Sequence, residues 1–375
     1  MDAQTSKRLV SLDVLRGFDM FFIMGFSGFV TALCAACGWG GDCWLVHQVR
    51  HVEWNGLAHH DTIFPLFLFI AGIAWPFSCA KQVARGDGKG RIALRCFKRA
   101  AILLLLGFVH EGFLSDFHNF RFTSVLARIG IAWMFAAWLY LFTGLRTRIV
   151  IAVALLLGYW IFSVSVGAPD HPGANPLSPE GCFTGWLDRT YMPGLIHGPK
   201  AVRMDNQSVL GIFPAIVTAM LGVFSGEYVR SSAHSGGRKT LFMLLAAAGL
   251  LAAGLLVAFG FGRYSMPVNK ILWSSSFVLV VGAYSLALFA LFYWLIDVTG
   301  VWRHTLFFRV IGMNSITIYM AQVLIPFSVI ASKLFGGTAA LLPAAWERVL
   351  MAVAYIAVCW LFLYFLYRKN VFLRV

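Results

Sequence analysis

The feature that most constrains this chain is a series of long apolar runs, recurring along the whole sequence. Each is near the roughly 20 residues that carry a helix across about 30 Å of hydrocarbon. Ten emerge, at about 17–37, 61–80, 100–114, 125–143, 149–167, 209–227, 240–260, 273–296, 309–330 and 349–367. The third is the shortest. Composition agrees: 59% of the 375 residues are hydrophobic and 12% are charged, against about 25% charged in a soluble domain. With 34 Phe and 13 Trp, a cytosolic enzyme, a disordered chain and a nucleic-acid binder are all excluded. The expected fold is all-α: a polytopic membrane protein of about ten transmembrane helices, in a single transmembrane domain over 1–375.

The formal charge of +14 would suggest a polyanion partner if the cations were clustered on a polar surface. Here they lie between the apolar runs, which is the pattern of the positive-inside rule. The first run ends without a small-residue cleavage site, so it reads as an uncleaved span. With the N-terminus inside, 20 of the 30 Lys and Arg fall on inner segments, among them Lys7, Arg8, Arg16, seven between Lys81 and Arg99, and Arg374. Both termini are therefore expected in the cytoplasm. Eight of the ten His fall on the outer side: His47, His51, His59, His60, His110, His118, His171 and His197. The longest loop, about 168–208, lies there too, so the reactive chemistry is expected near that face.

Several features point away from other functions. Seven Cys lack the paired spacing of a structural zinc site, so no metal is expected; Cys34, Cys37, Cys43 and Cys182 fall on the side where a disulfide is permitted. The RGDGKG stretch at 85–90 lacks the strand and helix context of a phosphate loop and reads as a turn. No internal repeat marks an inverted-repeat transporter. Ala246, Gly249, Ala253 and Gly254 in the seventh run have the small-residue spacing of close helix packing.

Polar residues at the edge of a hydrocarbon layer cost free energy unless paired, so their clusters are functional candidates. Four stand out: SLDVLRGFD (11–19), RHVEWNGLAHHDTIFP (50–65), MPVNKILWSSS (266–276) and GMNSITIYM (312–320). If 50–60 is helical, His51, Trp54, Asn55 and Ala58 share a face, which would set a general base beside an indole platform. Asp61 stands just before an apolar run with Pro65 in its first turn, which is ordinary helix-start grammar. It can cap that helix, orient an imidazole, or do both. Arg16 near Asp13 and Asp19 reads either as an anchor paired with those carboxylates or as a phosphate ligand. Arg128 stands at the outer start of its span against the general charge bias, which suggests a paired or substrate-facing role.

These strings, with SVLARIGIAW (124–133), occur in the order seen in the heparan-α-glucosaminide N-acetyltransferase family of membrane acyltransferases and cover nearly the whole chain. The sequence resembles that family and its bacterial relatives, which implies a bacterial cytoplasmic (inner) membrane as its location. The resemblance implies a multi-span enzyme that takes acetyl from cytoplasmic acetyl-CoA and delivers it to an amine or hydroxyl of an extracytoplasmic amino sugar. On the matching motifs it implies a catalytic His51 with Asp61, and binding roles for Trp54, Asn55, Arg128, Asn269, Lys270, Trp273, Asn314 and Tyr319. A thioester is already activated, so the chemistry asks for deprotonation, alignment and oxyanion stabilisation. His51 can serve as the base or receive the acetyl group first; Asn269, Lys270 or Asn314 can polarise the carbonyl or bind sugar hydroxyls. Arg16 can meet a CoA phosphate, and Trp44, Trp54 and Trp273 suit carbohydrate stacking.

The chain departs from the family pattern at Ser27, where relatives often have Asn, and at His110-Glu111 in place of an Asn-Gly-like pair. Those changes bear on the acceptor more than on the donor. His110 is read as a structural partner of Glu111. The expected partners are a saccharide acceptor and membrane lipids, with no nucleic acid and a homodimer left open. The alternative is a carrier or flippase for a lipid-linked sugar or small anion.

Overall fold

A computed structural model describes residues 9–41, 43–113, 121–198 and 204–373. Lys7, Arg8, His118 and Arg374, which enter the tallies above, lie outside the described residues, as do the end of the third run at Leu114 and residues 199–203 of the long loop. All regular structure among the described residues is helical, with two isolated bridges, Arg121–Gly194 and Gly167–Cys182. The helices are α1 (Val10–Ala36), α2 (Trp44–Gln48), α3 (His59–Ala84), α4 (Lys89–His110), α5 (Val125–Phe142), α6 (Leu145–Ser165), α7 (Phe183–Tyr191), α8 (Ile212–Arg230), α9 (Gly236–Phe259), α10 (Ser275–Val298), α11 (Leu306–Met313), α12 (Ser315–Leu324), α13 (Phe327–Ala339) and α14 (Ala344–Arg368).

Eight of these are long and apolar enough to cross a membrane, and the bent pair α11–α12 makes up to nine. The third expected run is the difference from ten. Its residues end α4, whose first half carries Lys89, Arg91, Arg95, Lys98 and Arg99, so the helix is apolar over only its second half. The run at 309–330 is not one straight span either. It breaks at Asn314, where α11 and α12 meet at 70°.

The chain groups into two compact units. The first comprises Met1–Val52, Ala58–Ile63 and Leu291–Arg374; the second comprises Glu53–Leu57 and Phe64–Ala290, with Val375. In the first unit α1 crosses α11 at backbone distance. A Cβ on Gly17 would collide with the Phe308 carbonyl, and one on Gly312 with the carbonyl of Asp13. Two glycines facing each other bring the helix axes close enough for dense van der Waals packing, the main attraction available between helices in lipid. The α1 N-terminus needs acceptors for its first amides, and Asp297 supplies both oxygens, to Val10 N and Ser11 N at 3.2 Å each. A widened turn at Phe22–Phe26 bends α1 around Gly25, at φ 134°. The Ile23 carbonyl in that turn accepts from Gln322 Nε2 at 3.4 Å, and Gln322 also donates to Tyr355 Oη at 2.8 Å.

The second unit has the larger core, built where α3, α5, α8 and α10 converge. There α3 meets α8 through Gly72 and Gly222, again with no room for a Cβ on either. Trp133 packs edge-on against Trp75 and donates to the Ala71 carbonyl at 3.1 Å. Arg148, buried on α6, reaches Glu227 of α8 with two bonds of 2.9 and 3.2 Å. The small-residue face expected on α9 is realised only at Gly254, against Val280; Ala246, Gly249 and Ala253 are exposed. The buried side of α9 is instead Met243, Ala247, Gly254 and Ala258, while Leu241, Leu245 and Leu256 stand open. An apolar exposed face of that kind suits contact with lipid. RGDGKG is a turn, held by Asp87 between Arg91 and Arg95 of α4.

Candidate active site

The chain from His51 to Ala58 is not helical. Gly56 adopts φ 122°, a value that favours glycine, so the shared helical face expected for His51, Trp54, Asn55 and Ala58 is replaced by an irregular loop. What organises the loop in the first unit is Asp61. It is fully buried in the first turn of α3. Its Oδ2 accepts from Val52 N at 3.3 Å and Ala58 N at 3.2 Å, and its Oδ1 lies 2.7 Å from His51 Nδ1. Asp61 therefore both ties down the helix entry and orients an imidazole, so the two roles open to it in the sequence coexist.

Because Asp61 Oδ1 is the acceptor, the proton on that contact belongs to His51 Nδ1, which leaves the basic lone pair on Nε2. The carboxylate is 1% exposed and the imidazole 54%, an arrangement that fixes the ring from beneath while leaving it accessible. A second imidazole joins it. His60 packs against His51 with ring centroids 4.5 Å apart, and its Nδ1 lies 3.3 Å from Ser27 Oγ on α1. The sequence gives one cue to His60, its place beside Asp61 in His-His-Asp. Ser27, singled out only as a departure from the family, turns out to be its partner.

Elsewhere in the first unit, Arg16 sits 3.7 Å from Asp13, the anchor pairing that was its ordinary reading. Asn314 occupies the break between α11 and α12 and is buried. Its Oδ1 accepts from Thr317 Oγ1 at 3.4 Å, while its Nδ2 has no hydrogen-bond partner among the described residues. Tyr319 is half-buried on α12.

The second unit holds the remaining residues implied by the resemblance. Asn269 is buried and donates to Asn55 Oδ1 at 3.1 Å; its own Oδ1 accepts from Leu272 N at 2.9 Å. Gly56 N donates to the Val268 carbonyl at 2.8 Å, so the loops 53–57 and 266–274 are held together. Trp54 is half-buried and donates from Nε1 to the Leu177 carbonyl at 2.9 Å. Lys270 is half-buried.

Trp273 departs from the stacking role. It is wholly buried, at φ 53°, with its indole packed against Phe64 and Phe277 and its Nε1 donating to Thr218 Oγ1 at 3.2 Å. The Arg128 guanidinium lies 5.0 Å above the ring. No face is left for a sugar, and a bulky residue in the left-handed region persists only because its surroundings hold it. Arg128 itself is 2% exposed and donates from Nη2 to the Ser208 carbonyl at 2.6 Å, while its Nε and Nη1 are buried with no hydrogen-bond partner among the described residues. Trp44 of α2, in the first unit, is 69% exposed and keeps an open ring.

The long loop contributes an ion network absent from the sequence reading. Arg121 grips Asp205 through Nε at 2.8 Å and Nη2 at 2.5 Å, and reaches Glu111 at 3.2 Å. That fork holds the Asp205 carboxyl below the usual carboxylate range despite burial. Glu111 also sits 3.5 Å from His110, the structural pairing expected. Arg189 fastens Asp170 at 2.6 Å and lowers its pKa. Asp188 on α7 makes no ion pair among the described residues: burial pushes it up to about 7 against the weaker pull of the Arg128 charge, and it accepts from Asp205 N and Val209 N, both at 3.4 Å. All seven cysteines are free thiols.

No protein-family model matches the chain. It is 26% identical over 366 residues to heparan-alpha-glucosaminide N-acetyltransferase of Homo sapiens, an alignment that covers 84% of this chain and 52% of that protein. The chain is a distant relative of these enzymes. The Mus musculus protein of the same name is likewise 26% identical over 372 residues, covering 86% of this chain and 55% of its own length. The chain thus spans about half the length of the curated relatives it matches.

Proposed function

We propose that this protein is a membrane acetyltransferase that moves acetyl from acetyl-CoA to an amine or hydroxyl of an amino sugar, with His51 at the chemical centre. The observation that carries the reading is the His51–Asp61 dyad, an accessible imidazole fixed by a buried carboxylate at 2.7 Å. It lies in one of the segments that carry the family resemblance, 50–65. In the proposed orientation both termini face the cytoplasm, CoA enters from that side, and the acceptor is met on the other.

Two routes use the same atoms. In direct transfer the acceptor nitrogen or oxygen attacks the thioester carbonyl, His51 Nε2 takes its proton, and the C–S bond breaks to release the CoA thiolate, which then recovers a proton. In the two-step route Nε2 itself attacks and expels the thiolate, giving an acetyl-imidazolium; the acceptor then attacks the acetyl carbon, the bond to Nε2 breaks, and the acceptor's proton passes by way of the freed imidazole to the thiolate. In both, the ring gains positive charge, and Asp61 stabilises it without taking the proton. General-base help of this kind supplies about 10²–10⁴-fold. Buried Asn314, whose Nδ2 has no hydrogen-bond partner among the described residues, is the proposed donor to a carbonyl or sugar oxygen.

The competing reading, a carrier or flippase, separates from this one on CoA. The purified protein is expected to be stabilised thermally and saturably by acetyl-CoA, and to acetylate members of an amino-sugar panel with stoichiometric release of free thiol. Indifference to acetyl-CoA together with transport of an unmodified sugar or anion would replace the enzyme with a carrier.

A further inference from the structure

Three of the seven thiols gather at one end of α1, in the first unit. Cys34 lies in the last turn of that helix, Cys37 just past its end, and Cys43 immediately before α2. α2 packs against this part of α1. Cys34 is buried, at 1% exposure, and its thiol interacts directly with the Cys43 thiol, whereas Cys37 reaches it only at longer range. Cys43 is half-buried and Cys37 exposed. Cys34 thus turns inward and Cys37 outward, and side chains that diverge cannot be bridged without moving the backbone. Cys182, the other thiol expected on the outer side, belongs to the second unit and has its own contact, with Met204 Sδ at 3.6 Å.

The sequence between these thiols shows what a bond there would do. Residues 37–43 read Cys-Gly-Trp-Gly-Gly-Asp-Cys. Gly38 and Gly40 sit at φ 73° and 72°, and glycine gives up more conformational freedom on ordering than any other residue. A cross-link removes such freedom from the unfolded chain. The element it would fix lies next to the dyad. Gln48, the last residue of α2, accepts through Oε1 from His59 N at 3.0 Å, at the start of the helix that carries Asp61. One end of α2 is therefore tied to the entry of α3, and the two thiols meet at its other end.

We propose that Cys34 and Cys43 are a site of oxidative modification, an intrachain disulfide that staples α2 to the end of α1 and steadies the approach to His51. This rests on the orientation in the acetyltransferase reading, which sets these thiols on the extracytoplasmic side, where disulfides form and persist. It does not depend on the chemistry at His51. The oxidant is a disulfide of the thiol–disulfide oxidoreductase class. The Cys43 thiolate, the more accessible of the two, attacks one sulfur of that disulfide and expels the other as a thiolate, leaving a mixed disulfide. The Cys34 thiolate then attacks Cys43 Sγ, and the oxidant's second sulfur leaves. The chain gives up two electrons and two protons, and the oxidant takes up both as a dithiol. Cys37 stays a thiol.

The test uses the full chain in cell membranes, its free thiols alkylated before lysis, as wild type, Cys43→Ser and Cys37→Ser. Peptide mass spectrometry without reductant should find wild type linked between Cys34 and Cys43, with Cys37 alkylated. Cys37→Ser should carry the same link, and Cys43→Ser none. After purification in detergent, reduction should lower the melting temperature of wild type and of Cys37→Ser by at least about 5 °C. Oxidised glutathione should restore it, and Cys43→Ser should respond to neither reagent.

A link from Cys37 to either neighbour would overturn the pairing. A pair that stays reduced in cells and in excess oxidised glutathione would overturn the site, and a link whose reduction leaves the melting temperature in place would overturn the staple. A membrane-impermeant maleimide on spheroplasts tests the orientation separately. Labelling of Cys37 from outside supports it, while labelling only after permeabilisation would put these thiols in a reducing compartment and end the proposal. Failure to acetylate any sugar would remove the enzyme reading alone, since the linkage and the melting shift are read without turnover.

Discussion

Asp61 and Asp188 are built alike and put to different ends. Each carboxylate is buried, with 0% and 1% of the residue exposed, and each accepts two backbone amides across an irregular stretch, at 3.2 and 3.3 Å for Asp61 and at 3.4 Å twice for Asp188. Asp61 adds an imidazole at 2.7 Å whose far side is open. Asp188 has no side-chain partner of that kind and lies beside Asp205, a second carboxylate, and burial raises its pKa to about 7. A buried acid that gathers amides is thus a clamp, and on the proposed mechanism it becomes chemical only when it also holds an accessible base.

The largest effect that would break this contrast is expected away from His51. Arg121→Met leaves Asp205 and Glu111 without their cation, and losing one partner of a buried pair costs about 3–5 kcal/mol. Thermal unfolding should report a steep loss of stability, while acetyl transfer per folded molecule stays near wild type. A turnover defect larger than the folding defect would move the long-loop network into the site. Next comes Asp61→Asn. It keeps the shape but loses the charge that orients and stabilises the imidazole, and the turnover rate should drop by about 10–100-fold with a small change in melting temperature. Asp188→Asn, measured alongside, should leave turnover within about twofold.

The smallest effect concerns pH. Folded Asp188 holds its proton to about pH 7, whereas its ordinary value is 3.8. Its contribution to stability is therefore greatest below about pH 4 and is lost as pH rises toward 7. Asp188→Asn cannot ionise, so its melting temperature relative to wild type should be more favourable at pH 8 than at pH 5. The same difference at both values would mean that Asp188 does not titrate between them.

Much of the architecture was written in hydropathy. Nine of the ten apolar runs coincide with the eight long helices and the bent pair, because an apolar stretch of span length has few alternatives to a helix in lipid. The α11–α12 break was not legible, since Gly-Met-Asn-Ser holds no proline and its 70° bend places an Asn within the apolar run. The dyad was half legible: the segment stood out by composition, but whether Asp61 capped a helix or met His51 depended on a loop whose path an assumed helix misdescribed. Trp273 misled because an indole in a polar cluster reads as a platform, whereas Phe64, Thr218 and Arg128 from elsewhere in the sequence enclose it together with nearby Phe277. The Arg121–Asp205 fork joins residues 84 apart, and no local pattern announces a contact at that separation.

Turnover of His51→Gly with and without added imidazole tests the central claim most directly. The side chain is 54% exposed, so its removal should leave the fold intact and open a path for a free imidazole to reach the same carboxylate. The account predicts that the variant still binds acetyl-CoA, loses at least about 100-fold in acetyl transfer, and recovers part of that rate as imidazole is raised, with recovery abolished by adding Asp61→Asn. Acetyl transfer at the wild-type rate by His51→Gly without imidazole would contradict it.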